Sequence, residues 1–130
     1  MSKKKRPVTT ITLRVGSTED FFARLMERAK KLDRGEVLPP GLTITFEDPE
    51  DLLEVLTSER VRLLRKVKGE SMGISVLASG LKRDVRAVSR DVSLLEKAGL
   101  LRTSYQPNPG HGRMKVVEPV AREYKLVANL

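Results

Sequence analysis

Lys82, Arg83, Arg86, Arg90 and Lys97 put five cations within sixteen residues, against the three carboxylates Asp84, Asp91 and Glu96. A guanidinium is a rigid planar fork of donors that matches the major-groove edge of guanine or the oxygens of a phosphate, and a lysine adds a mobile point charge. Ala87, Ser89 and Ser93 lie among these cations and are small enough to let a duplex come close. A second basic group, His111, Arg113 and Lys115, follows in and just after a stretch rich in glycine and proline. These eleven positions form the candidate contact set. The chemistry they offer is recognition of a polyanion, with double-stranded DNA the expected partner.

Comparable equipment for catalysis is missing from the sequence. No nucleophile, base and orienting group can be assembled, and Gly110-His111-Gly112 lacks the strand and helix that frame a nucleotide loop. The chain has no cysteine and one histidine, whereas a closed metal site takes about four ligands. Asp48, Glu50 and Asp51 cluster around Pro49, where the positive end of a helix dipole already accounts for acidic residues. The expectation is a protein that is not an enzyme and uses no cofactor or metal.

The cations must be held in register by regular elements. From Val85 to Ala98 the apolar residues Val85, Val88, Val92 and Leu95 recur at spacings of 3, 4 and 3, which puts them on one side of a helix over 85–98 and the cations on the other. Asp84 can cap its start and Gly99 its end. Ile74, Leu77, Ala78 and Leu81 predict a shorter helix before it, and Val61, Leu64 and Val67 another over 58–69, capped by Thr57 or Ser58. Leu100–Ser104 and Met114–Val117 are strand-like, separated by a turn-rich segment, 105–113. A helix fits the major groove, and a long loop on a hairpin beside it can act as a wing.

Upstream, Val8–Val15 predicts a strand, and Ser17 with Asp20 predicts the start of a helix over 18–33. Phe21, Phe22, Leu25, Met26 and Ala29 would form its apolar stripe; Leu42–Glu47 predicts a second strand, and Leu52, Leu53 and Leu56 a short helix. Phe21, Phe22 and Phe46 are read as core. That leaves few aromatic platforms and argues against a single-stranded RNA reader, which stacks bases on exposed rings. Tyr124–Val127 predicts a last strand.

The charge is concentrated. Residues 60–102 hold 11 basic and 4 acidic residues, and so carry nearly all of the formal net charge of +8. A focused basic surface gains free energy by releasing counterions from a polyanion, whereas charge serving solubility would be spread out. Residues 7–59 hold 6 basic and 11 acidic residues, a surface suited to a basic protein partner. Residues 1–7 form a basic segment with no apolar run behind it, expected to be a disordered tail rather than a signal peptide. No apolar run reaches the roughly 18–20 residues of a membrane span, so a cytoplasmic location without membrane attachment is expected.

The segments Ile74–Ala78, Val85–Asp91 and Leu94–Leu101 resemble winged helix-turn-helix regulators of the MarR/ArsR type, with Leu95-Glu96-Lys97-Ala98-Gly99-Leu100 similar to their exit from recognition helix to wing. Leu13–Ser17, Thr45–Glu47, Val55–Thr57, Arg60 and Leu63-Leu64 also resemble a family of prokaryotic transcriptional regulators classed with antitoxins. The resemblance implies an α+β fold: a winged helix over 57–118, an N-terminal strand-helix-strand extension over 8–56 serving dimerisation or a partner, and a C-terminal strand within 119–130. It implies DNA contacts from Arg86, Ser89 and Arg90, a dimeric repressor, and, as a second function, an antitoxin that binds a toxin and represses its own operon. The wing, Pro107 to Arg113, is longer than the pattern, and the Lys82-Arg83 turn is more basic.

Overall fold

The computed structural model describes residues 8–38 and 41–130 as two compact units, Val55–Arg122 and Val8–Glu54 with Glu123–Leu130. The expected tail, 1–7, and Pro39-Pro40 lie outside the described residues. The elements run β1 (Val8–Val15), α1 (Thr18–Asp33), β2 (Leu42–Phe46), α2 (Pro49–Val55), α3 (Ser58–Val67), β3 (Met72–Gly73), α4 (Ile74–Leu81), α5 (Val85–Lys97), β4 (Leu101–Pro107), β5 (Arg113–Pro119) and β6 (Ala121–Val127). The protein is thus a mixed α/β molecule with five helices and two small sheets among the described residues.

In the unit Val55–Arg122, α3 packs on α4 and α4 on α5, while β3, β5 and β4 form an antiparallel sheet in that order. Leu63, Val67, Leu77, Val88, Val92 and Leu95 are shielded from solvent and meet Leu100, Leu101 and Val117 at the sheet. Burying each of these side chains is worth about 1.5–3 kcal/mol, several times an exposed ion pair on a helix surface, so the apolar stripe sets each helix's rotation and the charges must follow. Two expected core positions are corrected. Val85 is 41% exposed because it opens α5, one turn before the packed stripe, and the stripe begins at Val88. In α3 the inner face is Leu63, Leu64 and Val67, with Val61 half-buried, because packing needs the i, i+1, i+4 side here. The two-residue β3 was not expected; its pairing with Val116 and Val117 comes from β5, far along the chain.

In the other unit, β1 and β2 are parallel with α1 between them in sequence, and β6 borders β1 on its other edge. Ser17 accepts from the Asp20 backbone N–H and Asp20 returns a bond to the Ser17 N–H, closing the expected capping box. Ile11, Leu13 and Leu52 are buried, but Leu53 is exposed. The expectation that Phe21 and Phe22 belong to the core is wrong: no residue of α1 is buried, and these two are 39% and 58% exposed. The pairing Thr12 to Thr43 and Arg14 to Thr45 gives the sheet one polar face, and the threonines and arginine there offer α1 no apolar bed.

Candidate nucleic-acid interface

The cation-bearing helix is fixed at both ends. Asp84 accepts from the Arg86 backbone N–H and caps its start. At its end, the Leu100 N–H bonds Leu95 O and the Gly99 N–H bonds Glu96 O, with Gly99 at φ 84°, the paired-bond turn that closes a helix through a left-handed residue. The preceding turn uses the same geometry: the Lys82 N–H bonds Ser79 O and the Arg83 N–H bonds Ala78 O. Here, however, the left-handed residue is Lys82, at φ 53°, among the described residues the only one other than glycine with a positive φ.

Between these caps each carboxylate of the segment has a structural partner. Asp84 is the cap. Asp91 is buried, taking Arg60 Nε on one oxygen at 3.1 Å and Arg83 Nη1 on the other at 2.6 Å. Glu96 turns to the start of β4, accepting from the Thr103 N–H at 2.9 Å and the Thr103 hydroxyl at 2.6 Å. None of the three pairs with an outward cation of the helix among the described residues. Arg86, Arg90 and Lys97 are exposed and make no ion pair among the described residues. Ser93 is exposed beside them; Ala87 and Ser89 are half-buried at the margin of the same face. Lys82 is exposed at the turn.

Arg83 departs from the expected set. Its guanidinium is committed to Asp91 and lies 3.4 Å from Glu59. The hydrogen bond it donates to Asp91, then the two negative charges, hold its pKa above the ordinary arginine value against the opposing effect of burial. It ties the α4–α5 turn to the body of the unit. Arg60 is the residue missed. It anchors α5 to α3 across a separation of 31 residues, a pairing that no local periodicity reveals; the only trace in the sequence was an acidic residue, Asp91, amid arginines.

The hairpin is longer and better ordered than expected. β4 and β5 pair without interruption to Pro107–Arg113, so the connecting loop is 108–112 rather than 105–113. The Asn108 N–H bonds Gly112 O at 2.7 Å and the His111 N–H bonds Asn108 O at 2.8 Å, while Gly110 and Gly112 supply the positive φ values the turn needs. Arg113 and His111 are exposed at the tip; Lys115 is half-buried, directly across from Tyr105. Tyr105, 61% exposed, shares a face with Lys115 and Arg113 and joins the candidate set. Strand alternation carried through to 107 would have found it.

A helix whose outward cations make no ion pair among the described residues, next to a hairpin that carries Arg113 and Lys115, gives this α+β protein a basic face. Residues 55–124 match the HVO_A0114 family, and the chain belongs to it. A possible transcriptional regulator from Methanosarcina mazei Go1 is similar in structure over 57% of this chain, with a TM-score of 0.47 and 23% identity, and the match spans 66% of that protein's length. No curated protein matches the sequence. Among the described residues no helix is long and apolar enough to cross a membrane, and no group of three or more His, Asp or Glu is placed to hold a metal ion.

Proposed function

We propose that Val55–Arg122 is a winged helix that binds double-stranded DNA in a sequence-specific way, with α5 in the major groove and the β4–β5 hairpin as the wing, and that the protein is a transcription regulator, a repressor acting as a homodimer. The observation that carries this reading is that Arg86 and Arg90 stand exposed and, among the described residues, without carboxylate partners on a helix whose opposite side is locked by Val88, Val92 and Leu95. Their two side chains are four residues apart, so they project along the same face and can meet neighbouring base pairs. Lys82, Lys97, Arg113 and Lys115 flank them and suit phosphates, which position a protein on the duplex without reading sequence. The protein carries out no catalysis and needs no cofactor in this role.

Selection of bound fragments from random duplex DNA, followed by affinity measurements over a salt series, tests the proposal. Arg86→Ala or Arg90→Ala should cost about 1–3 kcal/mol on the selected site and much less on random duplex. Arg113→Ala or Lys115→Ala should weaken both duplexes alike and lower the salt slope by about one unit. Selected-site affinity unchanged in both Arg86→Ala and Arg90→Ala would overturn the assignment of α5.

The exposed stripe of α1, Phe22, Met26 and Ala29, is the surface we assign to the second copy. Two identical helices can bury it symmetrically, and two-fold regulators space their recognition helices by about 34 Å to match one turn of DNA. A toxin, the alternative partner, would compete for the same stripe; copurification of a small basic protein with the full chain is the result that would favour it.

A further inference from the structure

The unit Val8–Glu54 with Glu123–Leu130 contains a second concentration of positive charge that the duplex reading does not use. Strand alternation and the parallel register bring Arg14 to the polar face of the sheet beside Thr45. Residues Phe21, Arg24, Leu25 and Arg28 of α1 recur at spacings of 3, 1 and 3, on the one helix side that borders this face. Together they line an open cleft of about 300 Å³, near the lower end of the size range of small-molecule sites.

The composition of the cleft runs against that of its unit. Residues 8–54 and 123–130 hold seven basic and eleven acidic side chains. Three of the seven basic ones, Arg14, Arg24 and Arg28, line the cleft, and none of the eleven acidic ones does. Arg24 donates to the Thr45 hydroxyl at 3.1 Å, and none of the three arginines makes an ion pair among the described residues. Residues 1–7 and 39–40 contain no Asp or Glu that could supply one. Three guanidinium groups around one small cleft repel one another, and they carry fifteen N–H donors between them. A solvated surface has no reason to sort its charges in this way, whereas a bound anion makes sense of it.

We propose that this cleft binds a phosphate group, free or carried on a small organic molecule. A phosphate dianion brings close to two negative charges and three acceptor oxygens, which suits three arginines and a threonine hydroxyl better than a carboxylate does. Phe21 and Leu25 form an apolar wall on the helix side, suited to the body of a phosphate monoester. The site is independent of the duplex-binding helix and stands or falls separately from it.

The test is titration of the full chain, without DNA, with phenyl phosphate and with inorganic phosphate, followed by calorimetry and by backbone amide NMR shifts. Saturable shifts at residues of β1, α1 and β2 are expected, with affinity reduced about tenfold or more in Arg14→Gln and in Arg28→Gln, and unchanged in Arg86→Ala. Benzyl alcohol should produce no such shifts. Tighter binding of phenyl phosphate than of inorganic phosphate identifies an organic monoester as the ligand class, and equal binding identifies free phosphate; both support the site. Because Arg28 is exposed, its variant keeps the fold if Arg14→Gln does not. Shifts confined to α5 and the hairpin, no saturation up to about 10 mM, or equal affinity in Arg28→Gln would overturn the proposal.

Discussion

Asp91 decides how much of the local positive charge faces outward. By holding Arg60 and Arg83 it turns two of the basic block's cations into structural ties, and Arg86 and Arg90 are left to face solvent. Its side chain and those of both partners are at most 22% exposed, so the cluster is sheltered from solvent screening. Removing the carboxylate leaves two cations close together, with only the more exposed Glu59, 3.4 Å from Arg83, to offset them. Asp91→Ala is therefore expected to destabilise the unit by about 3 kcal/mol, seen as a lower urea midpoint with an unchanged m-value. A midpoint shift no larger than that of an exposed pair such as Arg62–Glu59 would mean that the triad is loose in solution.

The two helix-closing turns on either side of α5 share one hydrogen-bond pattern but not one residue type, and that difference is testable. At the exit, Gly99 occupies the left-handed position at little steric cost; Gly99→Ala should cost about 1 kcal/mol and disturb the entry into β4, read as a lower melting temperature. At the entry, Lys82 occupies it at a cost. Lys82→Gly should stabilise the protein by about 1 kcal/mol, less the extra chain entropy of glycine, while weakening duplex binding by the loss of one phosphate contact. If Lys82→Gly instead binds DNA as well as the unsubstituted chain does, the lysine has no part in the interface. These turns were legible beforehand in part: Gly99 and the Asp84 cap are local signals, whereas nothing local marks Lys82, because lysine is not a residue that seeks positive φ. The hairpin shows the same boundary. Pro107, Gly110 and Gly112 announced a break, and the cross-strand pairing of Tyr105 with Lys115, which keeps the strands together past residue 104, required the partner strand.

Among the described residues both units hold shielded apolar side chains, whereas α1 carries an uncovered apolar stripe. Phe22 and Met26, 58% and 62% exposed at helical spacing, are the most exposed large apolar side chains of α1 and the positions assigned to a second copy. Sedimentation at micromolar concentration should give the mass of two chains, and Phe22→Glu with Met26→Glu should give one, with far-UV dichroism unchanged. A one-chain mass for the unsubstituted protein would sink the homodimer. The helix periodicities and the Ser17 and Asp84 caps were set by the sequence alone, because each depends on residues within four positions of one another, while the cap of α3, open between Thr57 and Ser58 in the sequence, falls to Thr57. Tertiary structure alone decided which cations stay exposed, which face of α1 lacks cover, and that Arg14, Arg24 and Arg28 share a cleft. Those outcomes depend on partners tens of residues away, and a pairing such as Arg60 with Asp91 leaves no local pattern to read.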